Sequence, residues 1–171
     1  MSGRPFHVLF LCTANSARSI LAEALLNRLG GGRFRAFSAG SHPRGTVHPC
    51  ALELLRQRGF AVADLRSKSW DEFAAPGAMP VDCVITVCDA AAGEACPLWP
   101  GQPLTAHWGI VDPAAVGGSD EQRMAAFARA FDALEARIRR LSSLPTSGAD
   151  RDELQRQLRE IGRMPGAVAP P

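Results

Sequence analysis

Short apolar runs alternate along the chain with stretches of helical periodicity. Phe6 to Cys12 is almost uniformly apolar, which is typical of a parallel strand covered on both faces. Residues 19–29 have apolar side chains at helical spacing, and Gly30-Gly31-Gly32 ends that pattern. The remaining predicted elements are strands at 34–39, 81–87 and around Leu104, helices at 49–58 and 119–141, and a helical turn at 69–73. This alternation predicts an α/β doubly wound domain with a parallel sheet.

The pattern weakens after residue 144, where we expect the core domain, residues 1–144, to end. Residues 145–148 have the composition of a linker, and residues 150–163 are predicted to form a polar helix. The segment from Met164 onwards is rich in proline and is expected to be disordered. Residues 145–171 are therefore interpreted as a solvated extension.

Composition excludes several classes of protein. The 171 residues fit one domain, and 19 basic against 17 acidic residues leave a formal charge of +2, too small for a nucleic-acid or acidic-membrane partner. The longest apolar run, Val8 to Cys12, is far shorter than the roughly 20 residues of a membrane-spanning helix. Five cysteines, an odd number, and an N-terminus without a signal-peptide core favour a cytoplasmic protein over a secreted disulfide framework.

Cys12 and Arg18 flank a loop at the phosphate-binding position of an open α/β sheet, between the first strand and the first helix. The five small or polar residues between them can form a nest of backbone N–H groups around a tetrahedral oxyanion. The helix N-terminus and these amides should lower the pKa of Cys12, and Arg18 offers two parallel donors. The alternative is a buried cysteine before an ordinary turn. The predicted oxyanion-binding residues are Thr13, Ala14, Asn15, Ser16, Ala17, Arg18 and Ser19.

A second cysteine is predicted to reach the same edge of the sheet. Cys88 follows the strand at 81–87, and neighbouring parallel strands lie about 4.8 Å apart, so its thiol would emerge beside that of Cys12. The alternative for Cys88 is a small buried hydrophobic residue. Cys83, about 16 Å down the strand, is expected to be inert in the core, and Cys50 is also assigned to structure.

Five segments occur in order across residues 6–145. They are Cys-Thr-Ala-Asn-Ser-Ala-Arg-Ser at 12–19, Phe-Ser-Ala-Gly-Ser-His-Pro at 37–43, Arg-Ser-Lys-Ser-Trp at 66–70, Val-Cys-Asp-Ala-Ala-Ala-Gly-Glu-Ala-Cys-Pro at 87–97 and His-Trp-Gly-Ile-Val-Asp-Pro at 107–113. Together they resemble the low-molecular-weight tyrosine phosphatase superfamily, and most closely its arsenate reductase branch. The resemblance implies a four-stranded parallel sheet flanked by helices, with the oxyanion loop after strand 1.

The resemblance also implies a role for each catalytic residue. Cys12 would attack arsenate held by the loop and Arg18, and Asp112 would be the general acid. Cys88 would then displace arsenite and leave a disulfide, which Cys96 would pass to thioredoxin or to glutaredoxin and glutathione. Phosphate and sulfate would compete with arsenate. No tightly bound cofactor is expected.

The spacing of Cys88 and Cys96 constrains the segment between them. A continuous helix would separate the two residues by about 12 Å along its axis, beyond the roughly 7 Å limit for bridged Cα atoms. A Cys88–Cys96 disulfide therefore requires this segment to loop or unwind.

Two other functions remain open. The first is a phosphatase of phosphomonoesters or phosphotyrosine, although Ala114 and Ala115 stand where tyrosine phosphatases of this superfamily have aromatic clamps. The second is a thiol module that binds arsenite or Zn²⁺ through the cysteines and His107, although no compact Cys-x₂₋₄-Cys pair occurs. Asp112, for its part, could simply form an Asp-Pro turn.

The resemblance raises the question of a monovalent cation beside the loop, which some reductases of the branch bind. Glu23 matches one acidic ligand, but Lys68 stands where another carboxylate would be. An ammonium group in place of the cation leads us to predict no bound metal.

Overall fold

Four parallel strands form one sheet in the described part of the chain, in the order β2-β1-β3-β4. The structure is a computed structural model that describes residues 3–93, 97 and 99–165. The strands are β1 (Phe6–Cys12), β2 (Phe34–Gly40), β3 (Cys83–Thr86) and β4 (Leu104–His107). The helices are α1 (Arg18–Leu29), α2 (Pro49–Gln57), α3 (Asp71–Ala74), α4 (Asp89–Gly93), α5 (Asp120–Ser142) and α6 (Arg151–Gly162), with a 3₁₀ turn at Pro113–Ala115. The predicted doubly wound fold is confirmed.

The side chains of the central strand β1 point alternately into two apolar cores. Val8 and Phe10 belong to the larger core, which is built with residues of α1, α2, α5 and α6. Leu9 and Leu11 belong to a smaller core on the other face, together with Phe73 of α3. All four of these β1 side chains are fully buried, which explains why the sequence of this strand shows no polar face.

The register of the sheet brings the carboxyl ends of β1 and β3 to the same edge. Leu11 pairs with Thr86, and the N–H of Val87 continues this pairing to the carbonyl of Leu11 (2.9 Å). Cys12, the last residue of β1, and Cys88, two residues after the end of β3, therefore lie at the same edge of the sheet. The predicted adjacency of these two strands is confirmed.

The helix predicted for residues 150–163 is present as α6, but it packs on the core and is not a solvated extension. Leu154, Leu158 and Ile161 are spaced along one face of α6 and all are buried. The indole N–H of Trp108 donates to the carbonyl of Leu158 (3.0 Å). The sequence predicted a solvated helix because charged residues outnumber the three apolar residues of this narrow stripe.

The far end of α6 is also fixed to the core, by a fully buried arginine. Arg137 of α5 donates from Nη2 to the carbonyls of Met164 (2.5 Å) and Pro165 (3.5 Å). The segment expected to be disordered therefore begins with two residues that are held in place. Its remaining residues, 166–171, lie outside the described part of the chain.

We expect the substitution Leu158→Ala to lower the free energy of unfolding by about 3 kcal/mol, because it leaves a cavity at a fully buried position. Arg159→Ala, an exposed change on the same helix, is the matched control and should alter it by less than about 0.5 kcal/mol. Urea unfolding measures both. Equal, small effects of the two substitutions would contradict the packing of α6 on the core.

None of the helices among the described residues is long and apolar enough to cross a membrane.

Candidate active site

The backbone between Cys12 and α1 turns carbonyl oxygens away from the centre of the loop. The carbonyls of Thr13, Ala14 and Ser16 each accept a backbone N–H from residues 42–48, at 2.9–3.0 Å. A planar trans peptide places its N–H opposite its carbonyl, so the N–H groups that follow these carbonyls face inwards. Inward N–H groups at a helix N-terminus form an anion-binding nest.

Asn15 fixes the shape of this loop from behind. Its backbone has a positive φ of 47°, and its side chain is fully buried. The side-chain amide donates to the hydroxyl of Ser19 (2.8 Å) and accepts the backbone N–H of Lys68 (2.9 Å). Gly40 allows the loop to approach β2, since a Cβ there would lie 2.4 Å from the carbonyl oxygen of Thr13.

Arg18, the first residue of α1, is held against the segment that contains Asp112. Its Nη1 donates to the carbonyl of Ile110 (2.9 Å), and its Nη2 lies 3.6 Å from Oδ2 of Asp112. Its buried Nε has no hydrogen-bond partner within the described ranges. A buried donor without a partner is costly, so this atom is suited to a bound oxyanion.

Asp112 is itself oriented by a local turn. Its Oδ1 accepts the backbone N–H of Ala114 (2.9 Å), which caps the 3₁₀ turn. Asp112 can therefore form the Asp-Pro turn and also act as an acid. Its Oδ1 caps the turn, while its Oδ2 faces Arg18.

The two thiols predicted to meet at the sheet edge lie close enough for each to shift the pKa of the other. Cys12 is 6% exposed and Cys88 is 2% exposed. The sulfur of Cys88 also lies 3.4 Å from the backbone N of Ala91, which donates to it, and 3.7 Å from the hydroxyl of Thr13. Cys88 thus meets three hydrogen-bonding groups in a site that is nearly closed to solvent.

These contacts couple the ionisation of the two thiols. The interaction with the Cys12 thiol, with smaller contributions from Ala91, Thr13 and Arg18, lowers the pKa of Cys88 to about 5 against the cost of burial. The same interaction and burial raise the pKa of Cys12, although the charge of Arg18 acts in the opposite direction. The two thiols therefore share one negative charge, and the lowered pKa expected for Cys12 stays a prediction.

We expect the thiolate absorbance of the reduced protein to rise with pH through a transition near 5, because Cys88 is ionised above that pH. An ultraviolet titration of the wild-type protein and of Cys88→Ser checks this. The transition should shift in the variant, because the thiol that shares the charge is gone, whereas Cys50→Ser is the control that keeps it near 5. A first transition near the unperturbed thiol pKa of about 8.5 would contradict this coupling of the two thiols.

The other cysteines are placed as follows. Cys83 is fully buried in β3, where burial raises its pKa, and this agrees with its expected inertness. Cys50 is half-buried near the start of α2. Cys96 lies outside the described residues.

A buried ion pair lies behind the loop, where the sequence indicated an ammonium group beside an acid. Lys68 Nζ lies 3.8 Å from Oε1 of Glu23 and donates to the carbonyl of Arg66 (2.9 Å), while the hydroxyl of Ser38 donates to Glu23. Burial raises the pKa of Glu23 and lowers that of Lys68. No group of three or more His, Cys, Asp or Glu among the described residues is arranged to hold a metal ion.

Two of the contacts in this site could not be predicted from the sequence. The carbonyl of Ile110 positions Arg18, and His107 bonds Asp89, the residue after Cys88. A main-chain carbonyl has no sequence signal. The His-Trp-Gly motif was visible in the sequence, but His107 could not be assigned to a partner.

The family model for low molecular weight phosphotyrosine protein phosphatase matches residues 7–159, nearly the whole described chain. The chain belongs to this family. Within the family it is similar to the arsenate reductase of Halalkalibacterium halodurans, with 35% identity over 132 residues that make up 77% of this chain and 91% of the relative.

Solved structures in the family show the same likeness. An arsenate reductase from Archaeoglobus fulgidus superposes with a TM-score of 0.63 and 28% identity, over 80% of this chain and 99% of that one. A thioredoxin-dependent arsenate reductase of Corynebacterium glutamicum superposes with a TM-score of 0.59 and 28% identity, over 82% of this chain and 62% of that longer chain.

Proposed function

We propose that this family member is an arsenate reductase, which reduces arsenate to arsenite through a thiol and disulfide relay. The observation that supports this most is the position of the Cys88 sulfur at the oxyanion loop, 3.7 Å from the hydroxyl of Thr13 and beside Cys12. A phosphatase of this family needs a single nucleophilic thiol, whereas reduction of As(V) to As(III) takes two electrons, and two thiols that form a disulfide supply them.

The first step joins Cys12 to arsenate. The inward N–H groups of Ala14, Asn15 and Ala17 and the Nε of Arg18 hold the oxyanion, and the sulfur of Cys12 attacks arsenic. The proton of Cys12 passes to the neighbouring Cys88. One As–O bond breaks, and Asp112 protonates the departing oxygen, which leaves as water.

The second step releases arsenite. The sulfur of Cys88 attacks the sulfur of Cys12, the S–S bond forms, and the S–As bond breaks. The electron pair of the broken bond stays on arsenic, which becomes As(III), and the proton of Cys88 goes to an oxygen of the product. The proximity of the two thiols supports this step, because the attacking sulfur starts close to its target.

The third step returns the protein to its reduced form. Cys96 attacks Cys88 in the disulfide and frees Cys12, and the resulting Cys88–Cys96 disulfide is reduced by an external dithiol. The role of Cys96 rests on its place in the resembling motif at 87–97. Thioredoxin is the proposed reductant because the similar Corynebacterium protein is thioredoxin-dependent.

Hydrolysis of phosphomonoesters is the second candidate function, since phosphate has the shape and charge of arsenate. The exposed carboxylate of Asp112 beside Arg18 favours it, because a phosphatase also needs an acid there. Ala114 and Ala115 line the cavity next to this carboxylate and offer no ring to clamp a phosphotyrosine side chain.

A single turnover without external reductant tests the proposal. The reduced Cys96→Ser variant, mixed with arsenate, should release about one arsenite per chain and form a Cys12–Cys88 disulfide that peptide mass spectrometry identifies. Cys50→Ser, in the otherwise wild-type protein, is the matched control and should release as much arsenite as the wild type. Unchanged thiols and no arsenite, together with steady hydrolysis of p-nitrophenyl phosphate, would favour the phosphatase instead.

A further inference from the structure

A hydrogen bond, which becomes an ion pair when His107 is protonated, links the residue after Cys88 to the end of β4. His107 Nε2 lies 2.8 Å from Oδ1 of Asp89, the first residue of α4. The other ring nitrogen, Nδ1, lies 2.8 Å from the hydroxyl of Thr86 at the end of β3. Both nitrogens of His107 are therefore engaged, one with the sheet and one with α4.

The histidine side of this pair is anchored to the core. The backbone N–H of Trp108 donates to the carbonyl of Thr86 (2.7 Å), and that of Ile110 donates to the carbonyl of Val87 (3.1 Å). The indole of Trp108, which is fully buried, is bonded to α6. His107 is consequently fixed to the sheet, whereas the side chain of Asp89 is largely exposed.

The backbone beneath the pair leaves room for it. A Cβ at Gly109 would lie 3.1 Å from Oδ1 of Asp89 and 3.2 Å from Nε2 of His107. Contacts this short would push the two side chains, so a glycine at this position of the His-Trp-Gly motif keeps the space of the ion pair clear.

We propose that the Asp89–His107 pair is a latch that positions Cys88 for its attack on Cys12. By holding the start of α4, the latch keeps the Ala91 N–H on the sulfur of Cys88 and that sulfur beside Cys12. This proposal rests on the proposed function, because it gives the pair a role in the thiol relay. Asp89 and His107 do not touch the reacting atoms and are positioning residues.

The exposure of the pair fits a latch that opens once in each cycle. The side chain of Asp89 is 86% exposed and that of His107 is 40% exposed. Exposed ion pairs are weak, so this one can break when the segment after Cys88 has to rearrange for a disulfide with Cys96. The latch is therefore expected to favour the first disulfide and to be dispensable for the transfer that follows.

Two rates measured on the same protein test the latch. In Asp89→Asn and in His107→Gln, arsenite release in a single turnover should be about two- to fivefold slower than in the wild type, the range expected for an exposed ion pair. Reduction of the oxidised protein by thioredoxin should be at least as fast as in the wild type. Asp132→Asn on α5 is the matched control. It removes an exposed carboxylate that lies 4.0 Å from Arg58, and it should change neither rate.

The double variant separates a latch from general destabilisation. If the two residues act through each other, Asp89→Asn combined with His107→Gln should be no slower than the slower single variant. Three results would each overturn the proposal. The first is a double variant in which the two single effects on arsenite release multiply. The others are equal slowing of arsenite release and of reduction by thioredoxin, and unchanged arsenite release in both single variants. Absence of arsenite release by the wild-type protein would instead overturn the proposed function.

Discussion

Replacing Cys88 by serine is expected to lower thioredoxin-coupled turnover of arsenate by about 10⁴-fold, the scale of loss when an essential nucleophile is removed. A serine hydroxyl cannot form a disulfide, so the electrons needed for As(III) are not supplied. Affinity for arsenate should change by less than about threefold, because the inward N–H groups of the loop and Arg18 stay in place. Coupled NADPH oxidation and calorimetric binding measure the two quantities.

Cys50→Ser is the matched control for this substitution, since Cys50 is a half-buried cysteine outside the loop. It should keep wild-type turnover. Multiple turnovers at the wild-type rate in Cys88→Ser would contradict the two-thiol mechanism, and a large loss of arsenate affinity would show that Cys88 acts on binding instead.

Cys12→Ser is expected to have the largest effect, a loss of about 10⁵-fold or more in arsenate reduction and in any hydrolysis of p-nitrophenyl phosphate. Both reactions begin with attack by the same sulfur on the bound oxyanion. Steady-state assays of the two activities check the prediction. A variant that loses reduction but retains ester hydrolysis would contradict the assignment of Cys12 as the common nucleophile.

Local sequence patterns were sufficient for the elements that build the site. The uniformly apolar β1, the break at the three glycines after α1 and the spacing of Cys12 and Arg18 placed the loop between a strand and a helix N-terminus. The adjacency of β1 and β3, and so the meeting of Cys12 and Cys88, followed from the fold class because parallel strand ends share one edge.

Features that depend on tertiary packing were beyond the sequence. The buried side of α6 has only three widely spaced apolar residues, so its place in the core depends on partners such as Trp108 that are distant in sequence. The coupling between the two thiols could not be predicted either, because the local helix and amide effects on Cys12 do not include the thiol of Cys88. The role of His107 likewise required the position of Asp89, which sequence distance does not give.

Arsenate-dependent oxidation of NADPH, with thioredoxin and thioredoxin reductase supplied, measures whether this protein reduces arsenate. We expect sustained NADPH consumption by the wild-type protein that stops when Cys88 is replaced by serine. Hydrolysis of p-nitrophenyl phosphate is followed in parallel. No arsenate-dependent consumption, either with thioredoxin or with glutaredoxin and glutathione in its place, would contradict the assignment of this protein as an arsenate reductase.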